Sequence, residues 1–234
     1  MKLIEGLGSL DTFLSRSAYL QMLTPDTKQE MAQLLSHRII RKGKLVSTTT
    51  EISPHVLLFL SGSAKANTIT SDGREVFHGL IGPGQIQGVI SAMDELPSMH
   101  QIQAITSIDA LAIEAKEFRA LAERSPDLQQ GVTAFLVERV RYYETYKTRA
   151  TIFSAYEKVA QSIADLASGW YKVADNRPKD SMIYVTQREL SLMLGLSRQS
   201  VNKSLKHLEQ QELIQIGYSS ITIRDYLGLR GTVE

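Results

Sequence analysis

One face of a predicted helix carries side chains whose chemistry suits the recognition of nucleic acid. We call these residues the recognition face: Arg198, Gln199, Asn202, Lys203 and Lys206. Guanidinium groups pair with guanine, amides pair with adenine and ammonium groups attract phosphate, so the set matches a helix lying in the DNA major groove. The apolar residues Val201, Leu205 and Leu208 are spaced to point inward on the opposite side.

The residues before and within this helix predict a helix-turn-helix that would hold the recognition face in place. Thr186 and Glu189 form a Thr-x-x-Glu capping box, which is typical of the start of a helix. Gly195 ends that first helix, because glycine adopts the left-handed turn without steric penalty. Ser197 then caps the second helix.

Two β-rich runs follow, at residues 213–216 and 220–223, with Gly217, Tyr218 and Ser219 at the turn between them. Their alternation predicts a hairpin wing beside the helices. Two short amphipathic helices separated by a glycine also occur in helical domains that never bind DNA. The wing, the caps and the basic face together favour a winged helix-turn-helix that binds DNA.

The composition bounds the other functions that this chain could have. It has 234 residues, a formal net charge of +1 and no cysteine. Without cysteine there are no disulfides, zinc-thiolate sites or cysteine-ligated iron–sulfur clusters. No run of eighteen apolar residues and no signal-peptide core occur, so we expect a cytoplasmic protein with no membrane partner.

The sequence offers no constellation of residues that would support an enzyme. It lacks a nucleophile elbow, a glycine-rich phosphate loop, a His-x-x-x-His pair and clustered carboxylates. We therefore predict no catalytic residues and no metal site, although an enzyme using the Asp, Glu and His groups of the N-terminal half is the competing class.

The first half of the chain changes character near residue 45. Residues 1 to about 40 are expected to be mainly helical, with Thr24-Pro25-Asp26 as a helix start. From Leu45 to about Ala115, short apolar runs are separated by turn residues, which predicts an antiparallel sandwich or barrel. Asp72-Gly73 is a hairpin signal within it.

A long helix is predicted to begin at Ser125-Pro126-Asp127 and to break near Phe153-Ser154. It carries an apolar stripe that could pack on its own domain or hold two chains together. Because the stripe is long and lies between two domains, we favour a homodimer. The predicted dimer seam comprises Leu128, Val132, Leu136, Val140 and Tyr143.

This order of parts resembles the Crp/Fnr family of bacterial transcription regulators over nearly the whole chain. The segments 59–63, 159–162 and 186–213 carry the resemblance, and 195–201 is its most specific part. The resemblance implies an α+β fold: an N-terminal double-stranded β-roll of jelly-roll, cyclic-nucleotide-binding-like type, a long dimerisation helix and a C-terminal winged helix-turn-helix. The corresponding boundaries are 1–124, 125–153 and 154–234.

The resemblance also assigns roles on DNA. Arg198 matches an arginine that reads guanine, and Gln199 stands where the family usually has a glutamate that accepts from cytosine. Thr186 and Ser197 match cap residues that also touch phosphate. Homodimeric binding to double-stranded palindromic DNA follows, with RNA polymerase as a further partner. The full expected interface is Thr186, Arg188, Ser197, Arg198, Gln199, Ser200, Asn202, Lys203 and Lys206.

The sensor part departs from the cyclic-nucleotide binders of this family, which use a glutamate for the ribose and an arginine for the cyclic phosphate. The matching positions here are Gly88 and Val89, followed by Met99 and His100, and no arginine occurs between Arg74 and Arg119. Burying a phosphate without a cation is unfavourable. We therefore expect an effector other than cyclic AMP.

The cofactor is left unknown by the sequence, and two alternatives remain. One is an effector-independent regulator whose β-roll is a vestigial scaffold. The other is a haem-based gas sensor, in which His55, His78 or His100 would ligate the iron.

Overall fold

The computed structural model describes residue 17 and residues 19–73, 75–168 and 182–233 of the chain. These residues divide into two compact units. The first contains the described residues up to Thr68 together with Leu80–Arg139. The second contains Ile69–Gly79 and the described residues from Val140 onward. The domain boundaries at 124 and 153 remain predictions.

The described residues of the N-terminal part include one helix and an unexpected strand, and the helix expected over residues 1–16 lies outside them. Helix α1 spans Pro25–Leu34, and its cap Thr24 accepts a hydrogen bond from the backbone of Thr27. Strand β1 follows at Ser36–Ile40, so the expectation of helix up to residue 40 is wrong at its end. Antiparallel pairing with residues 108–112 accounts for the difference, because this long-range partner is invisible locally.

The strands of the first half are short, as expected from the turn residues between them. They are β2 (Leu45–Ser47), β3 (His55–Ser61), β4 (Ala64–Ile69), β5 (Glu75–Ile81), β6 (Ile86–Gln87), β7 (Gln101–Ala104) and β8 (Ile108–Glu114). They form two four-stranded sheets, ordered β1-β8-β3-β6 and β2-β7-β4-β5. The predicted Asp72-Gly73 turn is confirmed, with Gly73 at φ 78° and its N–H bonded to the Thr70 carbonyl.

Apolar side chains of these strands form the core of the first unit, with Phe59, Ile102 and Ile108 at 2% exposure or less. The short helix α2 (Val89–Asp94) follows β6, and α3 (Ala115–Arg124) follows β8. No helix within the described ranges is both long and apolar enough to cross a membrane.

The long helix α4 spans Pro126–Ile152 and ends where the break was predicted. The N-terminal turns of α4 pack within the first unit. The ring centroids of Phe135 and Tyr19 lie 5.2 Å apart in a T-shaped contact. In the same part of the helix, Leu128 and Val132 are only 1% and 7% exposed. These two residues therefore belong to a core, which corrects their placement in the predicted dimer seam.

The second half contains the elements predicted for the winged helix-turn-helix. They are α5 (Ala155–Ser168), β9 (Met182–Ile183), α6 (Gln187–Leu194), α7 (Arg198–Gln210), β10 (Ile214–Gly217), β11 (Ser220–Ile223) and α8 (Tyr226–Arg230). The strands form a three-stranded antiparallel sheet in the order β10-β11-β9. Val201, Leu205 and Leu208 are buried, as their spacing predicted.

Candidate nucleic-acid interface

The capping box at the start of α6 is present as predicted. The Thr186 hydroxyl accepts from the Glu189 N–H at 3.1 Å, and the Glu189 carboxylate accepts from the Thr186 N–H at 2.8 Å. The same carboxylate also lies 2.8 Å from the Thr186 hydroxyl, which donates to it. The Thr186 hydroxyl proton is therefore donated to Glu189 and is not available to a phosphate. Thr186 acts here as the residue that positions the start of α6.

The turn between α6 and α7 is tightly held by local hydrogen bonds. Gly195 adopts the left-handed conformation at φ 62°, and its N–H bonds to the Ser191 carbonyl. The Ser191 hydroxyl donates to the Leu196 carbonyl at 2.6 Å. Ser197 then caps α7 by accepting from the Ser200 N–H at 3.1 Å. These bonds set the direction in which α7 leaves the turn.

The recognition face of α7 is presented to solvent. Arg198, Gln199, Lys203 and Lys206 are exposed, and Asn202 is half-buried. Within the described part of the chain, no carboxylate lies within ion-pair distance of Arg198, Lys203 or Lys206, so their charge is not neutralised there. Arg188 on α6 is also exposed, whereas Ser200 is half-buried beside the cap. Such uncompensated cations are suited to phosphate and guanine.

The wing is attached to α7 through its backbone. The N–H of Ile216 donates to the Glu209 carboxylate at 2.8 Å, which connects β10 to the last turns of α7. Gly217 pairs with Ser220, so the turn of the wing consists of Tyr218 and Ser219 alone. Tyr218 is fully exposed at this tip, at 100% of its accessible surface.

The end of α4 contacts the helix-turn-helix through polar groups inside the second unit. The Tyr146 hydroxyl donates to the Met193 carbonyl at 2.8 Å, and burial raises the pKa of Tyr146, which keeps this donor protonated. Asp165 on α5 lies 3.0 Å from Arg149 and 3.2 Å from Arg230. Burial raises the pKa of Asp165, and the two arginines act in the opposite direction.

The four residues matched to the effector site differ in their surroundings, and their grouping as one site remains a prediction. Gly88 is held at φ 93°, where an added Cβ would lie 2.4 Å from the His55 carbonyl, so no larger residue fits. Val89 is 3% exposed at the start of α2. Met99 is 61% exposed, and the His100 ring contacts the Thr68 hydroxyl at 3.3 Å.

Two of the histidines considered as haem ligands, His55 and His78, have lowered pKa values. Burial, together with Arg38, lowers the pKa of His55, and burial lowers the pKa of His78. Both shifts favour the neutral imidazole. No cluster of metal-ligating side chains is present among the described residues.

Sequence reasoning missed one residue at this interface. Gln187, the first residue of α6, accepts a hydrogen bond from the Asn202 side chain at 3.1 Å. Nothing in the local sequence distinguishes Gln187 from an exposed glutamine, because the contact depends on how α6 and α7 cross.

Comparisons with known proteins agree with both halves of the fold. Residues 157–232 match a model of the Crp-like helix-turn-helix domain, and residues 37–125 match a model of the cyclic nucleotide-binding domain. An HTH-type transcriptional regulator Cmr from Mycobacterium tuberculosis is 25% identical over 89% of this chain and 81% of its own length. A cAMP-activated global transcriptional regulator CRP from Pasteurella multocida is 26% identical over 86% and 97%.

The solved structure of FixK2 from Bradyrhizobium japonicum has the same fold. It superposes with a TM-score of 0.66 at 19% identity, covering 84% of this chain and 96% of that chain.

Proposed function

Because this chain belongs to the Crp/Fnr family of transcription regulators, we propose that it acts as a homodimer that binds palindromic DNA under the control of an effector other than cyclic AMP. The observation that carries the proposal is that Arg198, Lys203 and Lys206 are exposed on α7 and have no carboxylate partner among the described residues. RNA polymerase is the protein partner that this role implies.

We assign the recognition face to base reading and phosphate binding as follows. Arg198, at the exposed start of α7, reads a guanine, and Gln199 beside it reads an adenine. Lys203, Lys206 and Arg188 bind phosphates, which position the helix without specifying sequence. Ser197 and Ser200, which share the α7 cap, contribute hydroxyls at the same edge.

The dimer is proposed to form along the exposed part of α4. Leu136, Val140 and Tyr143 are 39%, 62% and 41% exposed, and their spacing places them on one side of the helix. Val137, at 48%, extends this surface. Two copies joined there would carry the two recognition helices to half-sites about one helical turn, roughly 34 Å, apart.

Selection of binding sites from random duplex DNA tests this function directly. The protein is expected to enrich an inverted repeat whose half-sites are separated by about one helical turn, and its affinity should fall steeply with salt. Recovery of no motif, or of unpaired half-sites with full affinity, would contradict the proposed mode of binding.

The effector is proposed to differ from cyclic AMP because the start of α2 lacks the necessary groups. Val89 places a buried isopropyl group where cyclic-nucleotide binders of the family have a carboxylate. The segment between residues 75 and 115 contains no lysine or arginine. An apolar or weakly polar small molecule fits this chemistry better than a cyclic phosphate.

Cyclic AMP and cyclic GMP are accordingly expected to give no heat of binding at concentrations up to about a millimolar. A dissociation constant of about 1 mM corresponds to a binding free energy of only about −4 kcal/mol. Isothermal titration calorimetry on the full chain is the measurement, with DNA affinity recorded in parallel. Submillimolar binding accompanied by tighter DNA binding would show that another residue supplies the missing cation.

An effector-independent regulator is the second candidate, and one contact favours it. The Ser91 hydroxyl accepts from the Ser53 N–H at 2.9 Å and donates to the Leu96 carbonyl at 2.6 Å, so this hydroxyl near the expected site is already satisfied. Tight, specific DNA binding by protein stripped of small molecules would support it. A visible absorption band in the purified protein would instead support the haem alternative.

Gln199→Glu is expected to change the preferred base pair while leaving the fold intact. Glutamine offers both a donor and an acceptor, which suits adenine, whereas glutamate offers only acceptors and suits the cytosine amino group. The preference at one symmetric position in each half-site should move toward G·C by about 1–3 kcal/mol. Parallel site selection with both proteins measures this. Identical motifs would mean that Gln199 does not touch the bases.

A further inference from the structure

The contact between Gln187 and Asn202 joins the first turn of α6 to the recognition face. Gln187 Oε1 accepts a hydrogen bond from Asn202 Nδ2 at 3.1 Å, across 15 positions of sequence. Both side chains are half-buried, in contrast to the exposed Arg198 and Lys203. Asn202 is therefore the member of the recognition face that is held in place before DNA arrives.

This contact decides which hydrogen-bonding groups Asn202 retains. A primary amide has one carbonyl oxygen and two N–H donors. One N–H of Asn202 is committed to Gln187, which leaves the carbonyl oxygen and the second N–H. Adenine presents a donor and an acceptor side by side in the major groove, so it complements this remaining pair. Guanine presents two acceptors there, and one of them would repel the Asn202 carbonyl oxygen.

The position of Asn202 places this amide beside the other base-reading groups. It follows Arg198 by four residues, so the two lie on the same side of α7 one turn apart. Lys206 follows by four more and is exposed. Because the Asn202 side chain is already ordered by Gln187, it loses less conformational entropy when it binds a base.

We propose that Gln187 is a positioning residue for sequence specificity, which holds the Asn202 amide in the orientation that reads adenine. This inference rests on the proposed docking of α7 in the major groove. Gln187 itself needs no contact with a base or a phosphate, because its effect passes through Asn202.

Four single variants of the full chain and one double variant test this proposal by site selection, with melting temperature and dimer mass as checks on folding. The single variants are Gln187→Ala, Gln187→Glu, Asn202→Ala and the control Gln210→Ala, which alters an exposed glutamine in the last turn of α7. Gln187→Ala and Asn202→Ala should both lower the preference for adenine at the same position of each half-site, by roughly tenfold. Gln210→Ala should leave the motif unchanged.

Gln187→Glu separates positioning from a direct contact. A carboxylate still accepts from Asn202, so the adenine preference should be kept, while repulsion from phosphate weakens binding to all sequences alike. In the double variant Gln187→Ala with Asn202→Ala, the preference should fall no further than in Asn202→Ala alone, whatever either change does to stability.

Three results would overturn the proposal. Gln187→Ala could weaken all sequences equally with an unchanged motif, as a phosphate contact would. Gln187→Glu could lose the adenine preference as fully as Gln187→Ala, which would mean that Gln187 does not act as the acceptor. The double variant could show additive losses. If the unaltered protein selects no motif, the proposed function itself fails, and that outcome is distinct from these three.

Discussion

Val140→Asp is expected to convert the dimer to a monomer and to weaken binding to a two-half-site operator by roughly 100-fold or more. Val140 is 62% exposed on α4, between the partly exposed Leu136 and Tyr143. In the proposed dimer, the two introduced carboxylates would be removed from water beside apolar groups and would repel each other. Binding to a single half-site should change little, because α7 is untouched.

Thr145→Asp is the matched control for this experiment. Thr145 is exposed on the same helix, and five residues of separation place it about 140° around the axis from Val140. The Thr145→Asp substitution introduces the same charge away from the proposed seam and should leave the dimer intact. Light scattering gives the mass, and fluorescence anisotropy gives the affinity for full and half operators. A Val140→Asp protein that stays dimeric would locate the interface elsewhere.

Arg198→Ala is expected to weaken specific binding by about 1–3 kcal/mol per half-site and to relax preference at one base pair. The reason is that the exposed guanidinium of Arg198 has no partner carboxylate in the described chain and can offer two donors to a guanine. The affinity for the preferred operator should fall, whereas the affinity for non-specific DNA should be nearly unchanged.

Lys206→Ala is the contrasting change on the same face. Lys206 is exposed two turns further along α7, where an ammonium group can attract phosphate. All sequences should be weakened alike, and the slope of log affinity against log salt should fall by about one per protomer. Equal changes in specificity for both variants would mean that α7 docks in a different rotation.

The features determined by the sequence alone are those that depend on neighbouring residues. The Thr186-x-x-Glu189 box, the left-handed Gly195 and the Ser197 cap all form within a single turn, so their residue types suffice to predict them. The inward positions Val201, Leu205 and Leu208 follow from helical periodicity in the same way. These local signals are why the winged helix-turn-helix could be predicted in detail.

The tertiary structure decided the features that depend on residues far apart in the chain. Strand β1 forms because Ser36–Ile40 pairs with residues 108–112, and Leu128 is buried at the start of α4, the helix whose Phe135 packs on Tyr19. Periodicity could show that Leu128 and Val140 are apolar and on one helix. It could not show that one faces a core and the other faces solvent.

The recognition face shows the same difference between local and long-range features. Helical spacing placed Asn202 beside Arg198, but the Gln187 contact arises only where α6 crosses α7. A hydrogen bond between side chains requires a particular distance and orientation, and these are set by the packing of whole helices. The sequence by itself therefore determined which polar groups share one face of α7, and the packing decided that Asn202 among them is hydrogen-bonded to Gln187.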